Sequence, residues 1–259
     1  MQKITIKKIL KKKNKLPIVC LTAYSKNVAK IADKYCDIIL VGDSLGMVLY
    51  GMKTTRDVKI ETMILHAKAV KESTKRSLVV FDMPYKTYTN KFIAYKNAKT
   101  VIKLTKCDAI KLEGGTEITN TIKHLVKKGI PVLGHVGLLP QTSGKFNVKG
   151  KNSIERKKIL NDAIAIFNSG VFAIIIECVV EGLAKEITKN ISIPTIGIGA
   201  SKHCDGQILV TEDMVGLSGF SPKFVKHYAN LNRSIEKSIK NYAEDVKMKR
   251  FPFIKNVYK

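Results

Sequence analysis

Residues 108–117 read DAIKLEGGTE, an apolar run that turns charged at its far end and closes on two glycines before a helical pattern. In a strand, successive side chains alternate faces, so Lys111 and Glu113 share one face and Leu112 takes the other. An ammonium and a carboxylate side by side on a buried face are costly unless they meet a partner, a metal or a substrate. A simple buried ion pair would satisfy the pattern in one strand. The same arrangement recurs, however: IILVG runs into Asp43 and Ser44, LVVF into Asp82, PVLG into His135 and AIII into Glu177. Five apolar runs each deliver a titratable residue at or near the C-terminal end.

Around this stretch the chain alternates strand and helix patterns. Residues 5–12 read as a short amphipathic helix, and 18–24 as a strand followed by Ser25 as an N-cap and a helix over 26–35. Strands are expected at 37–42, 77–82, 109–112, 130–135, 171–179, 193–199 and, more weakly, 207–210. Between them fall a loop from 44 to about 60 and helices at 61–73, 90–105, 117–127 (capped by Thr116), 154–169, 181–188 and 211–217. A polar loop occupies 141–151, and 222–247 has a helical pattern with one polar face. Eight apolar strands, most followed by a helix, imply parallel pairing through right-handed crossovers. An open doubly wound sheet uses the same units but feeds its ligand crevice from only a few strand ends. Five chemistry-bearing strand ends converge on one mouth only in a closed (β/α)8 barrel, a TIM barrel, and the length of 259 residues suits one such domain over 1–259.

Composition narrows the class. Hydrophobic content of 45% describes an ordinary globular protein, and the most apolar run, 171–180, is interrupted by Glu177, so no membrane span is expected. The N-terminus is charged without an apolar segment, unlike a secretory signal. Five cysteines show no C-x-x-C spacing, which suits reduced thiols in a cytoplasm. The net charge of +25 raises nucleic-acid binding, but the lysines are spread over nearly every helix with little aromatic interleaving and no binding module. The run Lys11 to Lys13 reads as a solvated helix end.

Asp43 and Asp82 end buried strands with no Cys or His beside them, and hard carboxylate oxygens of this kind select Mg²⁺ or a similar ion over zinc. Glu113 is a third candidate ligand, directly or through water. An Asp after a strand is more commonly a helix cap, a use that Ser44 and Met83-Pro84 argue against because neither simply begins a helix. A 2-oxo acid would chelate such an ion through its carboxylate and ketone oxygens, with Lys111 pairing with the carboxylate and Ser44 hydrogen-bonding to it. Glu177, set among isoleucines, is placed for a base whose burial would raise its basicity, and His135 for a donor to a substrate oxygen. Gly114-Gly115 serves an anion or a tight turn equally well; GIGAS at 197–201 lacks the spacing of a dinucleotide fingerprint. Cys178 should face away from Glu177 and pack.

LTAYS, VGDSLGMVLYG, TTRDV, FDMPY, IKLEGG, GHVGLLPQ, ECV, IPTIGIGAS and CDGQILV follow in order between residues 4 and 224. Together they resemble the ketopantoate hydroxymethyltransferase family. The resemblance implies a barrel of the phosphoenolpyruvate/pyruvate type and condensation of 3-methyl-2-oxobutanoate with 5,10-methylenetetrahydrofolate to 2-dehydropantoate, a step of pantothenate biosynthesis. It further implies one Mg²⁺ per subunit and a homo-oligomer, typically a decamer, in the cytoplasm. By motif, Asp43, Asp82 and Glu113 resemble the metal ligands and Glu177 the proton acceptor. Asp43, Ser44, Asp82, Lys111 and His135 resemble the substrate-binding set. A sister reaction on the same barrel, an Mg²⁺-dependent 2-oxo-acid lyase or mutase, is the alternative.

Overall fold

The computed structural model describes residues 2–143 and 146–258. The chain falls into two compact units, Met1–Val210 and Thr211–Lys259. In the first, helix α1 (Ile6–Leu10) precedes strand β1 (Ile18–Thr22), α2 (Lys26–Tyr35), β2 (Ile38–Val41), α3 (Leu45–Tyr50) and α4 (Ile60–Ser73). There follow β3 (Leu78–Asp82), α5 (Lys91–Thr105), β4 (Ala109–Glu113), α6 (Thr119–Lys127), β5 (Val132–Gly137), α7 (Ser153–Phe167), β6 (Ala173–Glu177), α8 (Glu181–Asn190), β7 (Thr195–Ile198) and β8 (Gly206–Leu209). Among the described residues the strands pair in parallel in sequence order and β8 returns to β1, closing the expected eight-stranded barrel.

Strand periodicity builds both layers of the core. Ile39 and Val41 of β2, Val79 and Phe81 of β3, and Ile110 and Leu112 of β4 point outward and pack with the surrounding helices. Ile38, Leu40, Leu78, Val80, Ala109, Leu133, Ala173 and Ile175 point inward and fill the lower barrel, where Ile4 and Ile9 join them. Counting on by two along the inner face reaches Asp82, Lys111, Glu113, His135 and Glu177 in the C-terminal halves of four adjacent strands. Register brings them level: Asp82 lies opposite Lys111, Glu113 opposite His135, and Gly137 opposite Glu177. The inner face is therefore apolar at the bottom and ionic at the top, the end where barrels of this kind carry their chemistry.

Several local expectations are corrected. The loop expected from 44 to 60 contains α3 and a 3-10 turn, Thr55–Asp57, so a helix does begin after Ser44. Ser44 occupies its N-cap position without a capping side-chain bond, because its hydroxyl is engaged by Tyr24. Thr116 opens a 3-10 turn rather than capping α6; its amide and hydroxyl both donate to Asp162. β5 begins at Val132, two residues later than expected, and runs on to Gly137, where the ladder with β6 continues. Lys12 and Lys13 are not a solvated end: they pair with Asp37 at 2.7 Å and Asp205 at 2.9 Å. The polar loop expected at 141–151 falls partly outside the described residues, at 144 and 145.

In the second unit, α9 (Thr211–Met214) is followed by an irregular segment and α10 (Leu231–Lys247). The helical pattern expected from 222 is realised only from Leu231, where Asn230 accepts a hydrogen bond from the amide of Arg233. Spacings of three and four residues along α10 line up Leu231, Ile235, Ile239, Tyr242 and Val246, all exposed.

Candidate active site

All seven residues singled out from the sequence lie at the C-terminal mouth of the barrel. Six are buried, and Ser44 is partly so. Lys111 is the hub. Its ammonium donates to both oxygens of Asp82 at 2.9 Å and to Glu113 Oε1 at 3.1 Å. Burial alone would lower its pKa, but the carboxylates of Asp82, Glu113 and Asp43 outweigh burial and hold it well above the usual lysine value. For Glu113 burial works upward, yet Lys111, His135 and the Gln141 amide bring its pKa down to about 2.

His135 sits on the inner face between two carboxylates, with Nδ1 3.5 Å from Glu113 Oε1 and Nε2 3.3 Å from Glu177 Oε2. Neither ring nitrogen completes a hydrogen bond, so these contacts are ionic in character. Burial and Lys111 push its pKa down; Glu113 and Glu177 prevail and raise it to about 9. The two flanking carboxylates thus favour the protonated ring.

Asp43 is the carboxylate of the cluster whose partner is uncharged, the Gln141 side chain, whereas Asp82 is held by Lys111. Burial, then the charge of Asp82, lifts the Asp43 carboxyl well above its ordinary range. Burial also lifts that of Asp82, against the pull of Lys111. The Asp43 amide donates to Asp82 Oδ2 at 3.3 Å, which places the two carboxylates together. Four carboxyl groups, Asp43, Asp82, Glu113 and Glu177, share the cluster with two bases, Lys111 and His135, so acids outnumber bases by two. A divalent cation between Asp43 and Asp82 would neutralise that excess, and a pair of carboxylates with the remaining positions open is the donor set Mg²⁺ takes. Among the described residues no three His, Cys, Asp or Glu side chains converge on one point. Glu113 is linked to Asp82 through Lys111 and to Asp43 through Gln141.

The residue that sequence reasoning missed is Gln141. Fully buried just after β5, it uses every polar group it has. Its amide N–H donates to Glu113 Oε2 at 3.1 Å, while Nε2 donates to Asp43 Oδ2 at 2.8 Å and to the Met83 carbonyl at 3.0 Å. Oε1 accepts from the Tyr88 hydroxyl at 2.6 Å, and its carbonyl accepts from Arg56 Nε at 2.8 Å. Tyr24 likewise was not singled out, although it lies 2.8 Å from the Ser44 hydroxyl. The available signal was an uncharged polar side chain closing the GHVGLLPQ run.

Two other sequence readings are decided here. A Cβ at Gly115 would lie 2.1 Å from Asp162, so the glycine pair is a tight turn with no space for an anion. Cys178 is buried, and burial together with the Glu177 carboxylate pushes its thiol up to about 12, which removes it as a nucleophile.

Comparisons with known proteins give the chain's family and its fold relatives. Residues 3–253 match the family described as Ketopantoate hydroxymethyltransferase. The 3-methyl-2-oxobutanoate hydroxymethyltransferase of Pelagibacter ubique is 52% identical over 255 residues, covering 97% of this chain and 99% of that protein. The enzyme of the same name from Bartonella tribocorum is 50% identical over 262 residues, covering 100% of this chain and 97% of that protein. Among solved structures, phosphonopyruvate hydrolase superposes with a TM-score of 0.63 over 98% of this chain and 93% of that one, at 12% identity. A 2,3-dimethylmalate lyase superposes with a TM-score of 0.61 over 98% and 88%, also at 12% identity. At such identities these structures share the fold alone.

Proposed function

The chain belongs to the ketopantoate hydroxymethyltransferase family, and from that premise we propose the reaction its active site performs. It transfers a hydroxymethyl group from 5,10-methylenetetrahydrofolate to 3-methyl-2-oxobutanoate, giving 2-dehydropantoate, the step of pantothenate biosynthesis that makes this branched hydroxy acid. The observation that carries the reading is the buried cluster at the barrel mouth, where four carboxyl groups meet two bases and Asp43 has no cationic partner.

Asp43 and Asp82 would hold Mg²⁺ directly, and Glu113 would reach it through water. When bound, the ion withdraws electron density from the substrate's ketone and so acidifies the neighbouring C–H. The chain's own residues do the rest. The Ser44 hydroxyl donates to the substrate carboxylate, and the Lys111 ammonium, anchored between Asp82 and Glu113, presents its charge to that same group. Glu177 takes the proton from carbon 3. His135, 3.3 Å from the Glu177 carboxylate, keeps that base aimed and donates towards a substrate oxygen. Water adds to the methylene carbon as its two C–N bonds to the folate break and both nitrogens are protonated, which releases tetrahydrofolate and a one-carbon unit at the aldehyde level. Carbon 3 then bonds to that carbon, whose oxygen takes back the proton held by Glu177 to become the hydroxyl.

Homo-oligomerisation, as a decamer by family resemblance, is part of this proposal; the exposed apolar stripe of α10 supports a second copy of the chain as its partner. Among the described residues no helix is long and apolar enough to cross a membrane, and a cytoplasmic setting suits five buried, unbridged cysteines. The test is product formation followed by NMR with 3-methyl-2-oxobutanoate and Mg²⁺. 2-Dehydropantoate should form only when methylenetetrahydrofolate is added. Cleavage of a 2-oxo-acid precursor without the folate would instead indicate the lyase alternative.

A further inference from the structure

Beside the ionic cluster, between the loop after β2 and the loop after β5, lies a cavity of about 220 Å³. Its walls are Met47, Leu138 and Phe146, and Lys53 and Arg56 stand at its edge. Among the described residues neither cation pairs with a carboxylate, and Arg56 uses Nε on the Gln141 carbonyl. In so basic a chain an unpaired lysine is unremarkable. Thr55 also lines it, but its hydroxyl is closed off from the cavity and offers a ligand nothing. What sets this place apart is an apolar wall with two cations at its edge, one of them tied to Gln141.

We propose that this cavity seats the aminobenzoyl-glutamate end of the one-carbon donor, its ring against Met47 and Phe146 and its carboxylates towards Lys53 and Arg56. The proposal rests on the transfer reaction above. Size fits a part rather than a whole: a site enclosing an entire ligand of that class is about 300–1,000 Å³. Position fits as well. Gln141, whose side chain reaches Asp43, lies between Pro140 and Ser143, both of which line the cavity. A donor anchored by its tail here extends its reactive end over the mouth. The apolar walls with two cations at the rim suit an aromatic dianion better than a phosphate, which would need no ring surface.

Tetrahydrofolate binding to the full-length protein, measured by anaerobic calorimetry, tests this with Lys53→Met and Phe146→Ala. Losing a charge-assisted contact or the ring wall should weaken Kd by about five- to tenfold in each variant. KM for methylenetetrahydrofolate should rise by the same factor, with KM for the oxo acid within about twofold of wild type. The fragment p-aminobenzoyl-glutamate should compete with tetrahydrofolate and not with the oxo acid. Wild-type Kd in both variants, or failure of the fragment to compete, overturns the assignment. If the wild-type protein transfers the one-carbon unit while both variants keep wild-type affinity, the pocket alone is wrong. If wild type forms no product, the reaction is wrong, and the calorimetry still decides the pocket.

Discussion

Gln141 is neutral, yet it fixes the charged groups around it. One side chain and one peptide unit link Asp43, Glu113, Tyr88, Met83 and Arg56. Gln141→Ala removes the donor to Asp43 and leaves the Tyr88 hydroxyl without its acceptor. A hydrogen bond to a charged group contributes about 1.5–3 kcal/mol, so Mg²⁺ affinity measured by calorimetry should fall by about tenfold or more. A Gln141 that merely packs would lower the melting temperature and leave metal affinity at the wild-type value. At this scale much was legible: a period of two places Lys111 and Glu113 on one face, and the structure pairs them at 3.1 Å. The identity of Lys111's second partner was not, because Asp82 comes from a strand whose register against β4 depends on the whole barrel. Gln141 escaped for a simpler reason: it lies four residues past its strand and carries no charge.

Elements with a chemical signal at their ends were read closely. Ser25 accepts from the Val28 amide and α2 spans the expected 26–35, while Asn90 accepts from two amides at the start of α5. α3 lacked such a signal. It is six residues long, contains Gly46 and has no capping side-chain bond, so propensity alone does not announce it. β1, β2, β6 and β7 were anticipated too long, because apolar residues continue beyond the ladder. β4 and β5 end later than expected because their last ladder residues, Glu113 and Gly137, are not apolar. At the lower rim, Asp108 joins elements that sequence patterns treat as separate. It accepts from Lys3 at 2.8 Å, from Lys71 at 2.5 Å and from the Val79 amide at 2.9 Å. Burial raises its pKa, but these donors win and leave it below the ordinary carboxylate value. A depressed folded-state pKa adds stability that is present above the unfolded value, about 3.9, and lost as pH falls through the folded one. Asp108→Asn should therefore destabilise by about 1.5–3 kcal/mol at pH 7. In denaturant titrations its deficit against wild type should shrink once the pH passes below 4; a deficit constant down to pH 2 would show that charge is not the cause.

Across the whole molecule, a chain of net charge +25 buries an anionic cluster at its catalytic end. The surface lysines set solubility and long-range potential, while the charge balance of the barrel mouth sets the chemistry. On α10, Ile239 is 62% exposed in the middle of the apolar stripe. On the proposed homo-oligomer, Ile239→Asp should shift the sedimentation profile to smaller species, and an unchanged profile would remove α10 from the proposed interface. The closed barrel followed from five strand ends with one kind of chemistry; the role of the α10 stripe was less legible, since an amphipathic helix does not say what covers it. The central claim is that this mouth removes a proton from the carbon beside a ketone, and that Glu177 takes it. Exchange of the 3-hydrogen of 3-methyl-2-oxobutanoate with deuterated water, followed by NMR with Mg²⁺ and no folate, measures that step alone. Wild type should exchange, and Glu177→Gln, which keeps the shape without the base, should slow exchange by about 100-fold or more while still binding the oxo acid. Exchange at the wild-type rate in Glu177→Gln would contradict the account.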